Sequence, residues 1–136
     1  MVVICPKSLK LTWKEEIKRW LPHLSYEINI VDTGKGTVNV DKRIHIISYE
    51  IATKLAHQFL KSGIKSAILD ESHYLKSGKA QRSKILVPIL TRMKRLVLLS
   101  GTPILARPIE LYNSLNMLRP DIFNDFQKYV ARYCNP

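Results

Sequence analysis

The sequence predicts an α/β fold built on a parallel sheet, and three observations carry that expectation. Short β-branched or apolar runs bounded by breakers recur along the chain. Amphipathic helical patterns lie between and after them. Three of the runs (VVIC, SAIL and LVLL) are apolar at successive positions rather than alternating. Continuously apolar strands are those covered on both faces, and strands alternating with helices close through right-handed crossovers. At 136 residues the chain is one domain's worth, and no Ser/Gly linker, repeat or low-complexity tract divides it.

Taken in order, a strand is expected at residues 2–5. A helix follows over 9–21, where Trp13, Ile17, Trp20 and Leu21 fall at i, i+4, i+7 and i+8. Ser8 is the expected cap of that helix and Pro22 its stop. Strands are expected next at 27–31 and 44–49. Ile51, Leu55 and Phe59 repeat every four residues and predict one helix ending at Gly63. A strand at 66–70 leads to a stripe of Ile85, Leu86, Ile89, Leu90 and Met93, which Pro88 should kink or split. A last strand at 96–99 precedes two amphipathic segments, one through Leu111, Leu115 and Leu118, the other through Phe126, Val130 and Tyr133.

Composition narrows the function classes. The apolar (46%) and charged (24%) fractions are those of a globular domain rather than a disordered chain. No apolar run approaches the roughly 20 residues that span a bilayer, and the opening MVVICP is too short for a signal peptide. Cys5 and Cys134 have no metal or redox spacing and read as free thiols in a reducing compartment. Twenty-two Lys and Arg against eleven Asp and Glu leave +11, which favours a polyanionic partner, nucleic acid first, over a basic surface neutralised by a neighbouring protein.

Ligands of open α/β sheets bind at the carboxyl ends of strands. Two such ends carry unusual residues: Leu69-Asp70-Glu71-Ser72-His73 and Leu98-Leu99-Ser100-Gly101-Thr102-Pro103. An acid directly after a buried strand suits Mg²⁺, which takes one or two carboxylates and completes its shell with water and phosphate oxygens. A second acid beside it can orient or deprotonate an attacking water, as phosphoryl transfer requires. Alone, two acids after a strand also describe a solvated turn. A second marked strand end roughly 30 residues later, one βαβ unit on, argues against that.

DESH followed by LLSGTP resembles motifs II and III of the Swi/Snf-type superfamily 2 helicase-like ATPases. CPKSLKLTWKEEIKRWLP resembles their motif Ia, and Ile46-Ile47-Ser48-Tyr49-Glu50 their motif Ib. The similarity covers residues 2–135. Arg107-Pro108-Ile109-Glu110-Leu111, DESH rather than DEAH, and the Arg132-Tyr133-Cys134-Asn135 ending resemble the annealing-helicase branch. Within that branch the Ran-binding-type zinc-finger annealing helicase is the nearer likeness, and the HepA-related protein the next.

The resemblance implies a RecA-like lobe of P-loop NTPase type, a nuclear protein, and ATP-driven work on forked or branched DNA without sequence preference in fork remodelling and repair. It implies that Asp70 holds Mg²⁺ through water, that Glu71 positions the hydrolytic water, and that His73 links the nucleotide site to Ser100, Gly101, Thr102 and Pro103. Pro6, Ser8, Leu9, Ser48, Tyr49 and Glu50 would lie along the DNA backbone, and repair proteins would bind through other parts. Residues 1–136 would then be a partial first lobe running from motif Ia to motif III. The phosphate-cradling P-loop and the second lobe with its arginine fingers are expected elsewhere, so ATP and Mg²⁺ belong to a complete parent, and the chain by itself is expected to be inert. The alternative is a non-enzymatic, basic nucleic-acid-binding module that keeps the fold.

Two further features carry little. Asp32-Thr33-Gly34-Lys35-Gly36-Thr37 is not a P-loop, because that motif needs Gly five positions before the Lys and Ser or Thr after it, and Ile30 and Gly36 stand there. It reads as a solvated turn. His23, His45 and His57 have no second ligand at metal spacing.

Overall fold

The computed structural model describes residues 1–35, 38–39, 41–102 and 107–134. Five parallel strands form one sheet in the spatial order β2-β3-β1-β4-β5, where β1 is Val2–Cys5, β2 Ile28–Val31, β3 Ile44–Ser48, β4 Ser66–Leu69 and β5 Arg95–Leu98. The central strand β1 pairs Val2 with His45 of β3 on one side and with Ala67 of β4 on the other. All five expected strands are present, shifted by at most one residue at their ends.

Helix α1 (Lys10–Trp20) joins β1 to β2. Helices α2 (Tyr49–Lys54) and α3 (Ala56–Lys61) join β3 to β4, and α4 (Gln81–Leu90) joins β4 to β5. Alternate residues of β1 feed two cores: Val2 and Ile4 pack with Ala52, Phe59, Leu86 and Leu90, whereas Val3 and Cys5 pack with Ile17, Ile44 and Ile46. So α1 covers one face and α2 to α4 the other, as right-handed crossovers in opposite directions demand. The direction reverses between β1 and β4, which makes their carboxyl ends the topological switch point where α/β sheets bind ligands. Asp70 stands there. Helices α5 (Tyr112–Leu118) and α6 (Phe126–Tyr133) follow the sheet, and Met117 joins the core on the α4 side.

Several local expectations change in three dimensions. Ser8 does not cap α1; it lies in a 3-10 turn (Lys7–Leu9), and the residue at the helix start is Leu9, without a side-chain cap. Trp20 leaves the buried stripe and stays 71% exposed, its indole donating to Glu16. The helix expected over 51–63 is divided at Leu55, whose N–H closes α2 onto Ile51 before α3 begins, although Gly63 does sit at positive φ after α3. Tyr49 opens α2 rather than ending β3, with Ser48 as the side-chain cap. Pro88 neither splits nor ends α4, which runs continuously to Leu90.

The both-faces-covered reading holds for β1 and only in part for β4 and β5. Ala67 and Leu69 are buried, but Val97 and Leu99 are 48% and 39% exposed. Register places Val97 beside Ile68 and Ile68 beside Val3, so the open patch continues the α1 face of the sheet past the reach of α1.

Candidate functional site

Asp70 follows β4 directly and is fixed from four directions. Its backbone N–H extends the ladder to the Ile4 carbonyl (2.8 Å), and its own carbonyl accepts from the Tyr49 hydroxyl (2.8 Å). Its Oδ1 accepts from the Glu71 backbone N–H (2.9 Å) and its Oδ2 from the Trp13 indole Nε1 (2.8 Å). Each carboxylate oxygen thus spends one acceptor site and keeps another for an incoming group.

Glu71 adopts φ 51, ψ 49, the left-handed region, and is the non-glycine residue with positive φ among those described. A side chain there costs roughly 1–2 kcal/mol, and such strain collects where geometry serves a site. The bend starts the 3-10 turn Ser72–Leu75, which is tied to the neighbouring strand end by Ser72 N–H donating to the Leu99 carbonyl (2.9 Å). It brings the Glu71 carboxylate back to His73, with Oε2 3.1 Å from Nδ1.

His73 Nδ1 also stands 3.4 Å from Ser100 Oγ, and that hydroxyl accepts from the Thr102 N–H at 3.2 Å. Glu71, His73, Ser100 and Thr102 therefore form one continuous polar chain from the end of β4 to the segment after β5. Gly101 is exposed with open space where a Cβ would be. Pro103 lies outside the described residues.

The residues expected along a nucleic-acid path gather at the carboxyl ends of β1 to β3. Pro6, Ser8, Ser48, Tyr49 and Glu50 line one open cavity of ≈ 780 Å³ together with Lys7, Lys10, Asp32, Tyr74 and Arg82. Leu9 does not line it; it packs into the core under α1 with Val3 and Ile17. Lys10 is buried, ion-paired with Asp32 and within reach of the Val31 carbonyl (3.5 Å), so its charge is spent internally. Lys7 is exposed at the rim and Arg82 lies on the Tyr74 ring, 5.5 Å from its centre. Tyr74 in turn stacks on Tyr49 at 5.1 Å and 8°.

Burial, and after it the Asp70 charge, pushes the Tyr49 hydroxyl far above the ordinary phenol range, so it remains a donor at any physiological pH. Burial first, then Asp70, likewise pushes the Cys5 thiol up to about 11, with Lys10 opposing. Cys5 is therefore an inert core residue.

The donor set suits a hard divalent cation held by one carboxylate and completed by water and phosphate. Among the described residues no three His, Cys, Asp or Glu side chains converge as an all-protein cage. Sequence reasoning placed Trp13 on a helical stripe and within the stretch resembling motif Ia, gave it no partner, and left Tyr74 and Arg82 unremarked. Spacing alone could not show that an indole 57 positions away reaches Asp70.

The whole chain, residues 1–136, matches the SNF2-related domain. It belongs to that family. Among curated relatives, the bovine (Bos taurus) SWI/SNF-related matrix-associated actin-dependent regulator of chromatin subfamily A-like protein 1 is 42% identical over 135 residues, covering 98% of this chain and 14% of the relative. The bovine DNA annealing helicase and endonuclease ZRANB3 is 39% identical over 142 residues, covering 99% of this chain and 13% of the relative. The chromatin regulator and the annealing helicase are thus matched at nearly equal identity. The Sulfolobus solfataricus SWI2/SNF2 ATPase core, solved in complex with dsDNA, superposes with a TM-score of 0.72 over 96% of this chain and 27% of that one, at 21% identity. This SNF2-related chain therefore has the RecA-like α/β fold and spans about one seventh of the length of the relatives it matches.

Proposed function

We propose that these residues are the motif Ia to motif III part of the first ATPase lobe of a DNA annealing helicase, a nuclear enzyme that uses ATP to remodel forked DNA during replication and repair. The observation that carries this reading is the polar chain Glu71–His73–Ser100–Thr102 beside a fourfold-held Asp70 at the switch point. The P-loop lysine and the arginine fingers come from segments outside these 136 residues, so the chain alone provides one wall of a nucleotide site and no turnover.

In that site, Asp70 would hold the cation through water, which its free acceptor positions allow. The Mg²⁺, when bound, neutralises charge on the phosphate oxygens. Glu71 orients the attacking water and takes its proton. His73, bonded to Glu71 and next to Ser100, ties the position of that carboxylate to the segment after β5. Pro6, Ser8 and Glu50 lie along the nucleic-acid backbone, with Lys7 as the phosphate partner, and the buried Ser48 and Tyr49 support that path from beneath. Leu9 supports that surface from the core.

The test is DNA-stimulated ATP turnover, measured on the longer protein that carries this segment and on the 136-residue chain. Glu71→Gln keeps nucleotide binding and lowers turnover by a few orders of magnitude, because the amide keeps the shape but accepts no proton. Asp70→Asn weakens Mg²⁺–nucleotide binding as well. DNA-stimulated turnover by the short chain, abolished by Glu71→Gln, would overturn the half-site reading. DNA binding without turnover in the longer protein would leave the non-enzymatic basic module.

A further inference from the structure

The four bonds on Asp70 come from elements with different tasks. An aspartate at a strand end turns freely about its last torsion unless both oxygens are engaged. Here Glu71 N–H holds Oδ1 and the Trp13 indole holds Oδ2, which sets the plane of the carboxylate and the direction of its free acceptor sites. Mg²⁺ tolerates little deviation from octahedral geometry, and partners that orient a ligand tune its affinity. Trp13 lies on α1, half-buried among Val3, Cys5 and Ile17, so its donor is held rigidly. Tyr49 holds the Asp70 carbonyl from α2, and its ring belongs to the stack Tyr49–Tyr74–Arg82 at the wall of the cavity.

We propose that Trp13 and Tyr49 are positioning residues for Asp70, and that Tyr49 couples occupancy of the cavity by a nucleic-acid backbone to cation affinity at Asp70. The proposal rests on the reading of Asp70 as the cation-holding acid. A phosphate chain against Arg82 and Tyr74 presses on the ring whose hydroxyl holds the backbone of that acid. The coupling therefore runs through two side chains, Tyr74 and the buried Tyr49, and, being a binding linkage, is reciprocal.

The experiment uses Mn²⁺ with ADP as a paramagnetic stand-in for the Mg²⁺–nucleotide, and the indole N–H signals of Trp13 and Trp20, assigned by substitution, in the longer protein that carries this segment and completes the site. Trp20 is an exposed internal reference bonded to Glu16. Mn²⁺ is expected to broaden the Trp13 indole signal before that of Trp20, and Asp70→Asn to abolish the difference. Trp13→Phe and Tyr49→Phe should each weaken Mn²⁺ binding, read from water-proton relaxation, about 5- to 10-fold. Tyr49→Phe keeps the ring and its stack and so separates positioning from loss of fold. Duplex DNA should change Mn²⁺ affinity at least about 3-fold in the unaltered protein and not in Tyr49→Phe. If Asp70→Asn abolishes Mn²⁺ binding while both other variants bind as the unaltered protein does, positioning is refuted and the acid's assignment stands. If Asp70→Asn changes nothing, both fall.

Discussion

Glu71 is the residue where local preference and site geometry disagree most. At φ 51 any Cβ is strained, so glycine should fit better than alanine, the reverse of their usual order. Glu71→Gly is expected to be more stable than Glu71→Ala by about 1 kcal/mol in urea unfolding. Both variants lose the contact to His73 equally, so the comparison isolates the backbone. Equal midpoints would mean the bend relaxes in the variants. Cys5 supplies a second test. Its thiol pKa is about 11 when folded against an ordinary 9.0, so the unfolded chain gives up its proton first as pH rises. The folded state therefore loses stability between those two values, by at most about 2–3 kcal/mol, and nothing is lost below them. Cys5→Ala should flatten that alkaline slope in unfolding free energy; an unchanged slope would assign it to the lysines and tyrosines instead.

At the scale of elements, α4 contains a proline in its interior that the packing overrides. Pro88 is exposed and lacks the N–H that would reach the Lys84 carbonyl, while Leu86 and Leu90 on either side are fully buried. Anchoring of those leucines against the sheet outweighs the propensity cost. Pro88→Ala restores the bond without touching the core and should stabilise the chain by about 1 kcal/mol or more, raising the thermal midpoint by about 3–6 °C. A lowered midpoint would show that the proline's restriction of the unfolded chain matters more than the missing bond. The division between α2 and α3 at Leu55 has the same origin, since Leu55, Ala56 and Phe59 are all buried against the sheet. Contact decides where that helix breaks, and the four-residue repeat cannot.

For the whole molecule, charge and an open sheet edge pull in opposite directions. The +11 charge predicts sequence-independent DNA binding that weakens steeply with salt, because each phosphate contact releases counterions. Lys7→Glu should weaken binding to unrelated sequences equally. Lys10→Glu is not an equivalent probe: burying an acid beside Asp32 should unfold the chain first. Binding that ignores salt would give the basic surface another role. Among the described residues β5 ends the sheet, and with Val97 and Leu99 exposed beside it this predicts self-association, opposed at low salt by like charge. Val97→Lys should remain monomeric in sedimentation at concentrations and salt where the unaltered chain assembles, with its unfolding free energy nearly unchanged. A monodisperse unaltered chain under those conditions would sink that expectation.

Strand identity, the parallel sheet and the two marked strand ends were legible in the sequence by itself, because β-branched runs and breakers act locally and a buried strand must be apolar along its length. The acids and the hydroxyl-bearing turn could be named for the same reason: few structural needs place Asp-Glu or Ser-Gly-Thr-Pro directly after such runs. What only the tertiary structure decided is where distant side chains meet. Trp13 and Trp20 belong to one helical stripe in sequence, yet one holds Asp70 and the other faces solvent, since α1 reaches the switch point with only one of its turns. Lys7 and Lys10 look alike three residues apart, but the position of Asp32 at the end of β2 removes Lys10 from the surface. Val97 looks as buried as Val3, and the sheet extends beyond the helix that covers it. Periodicity records the preferences of one element; burial and partnership depend on its neighbours, and those are set by topology.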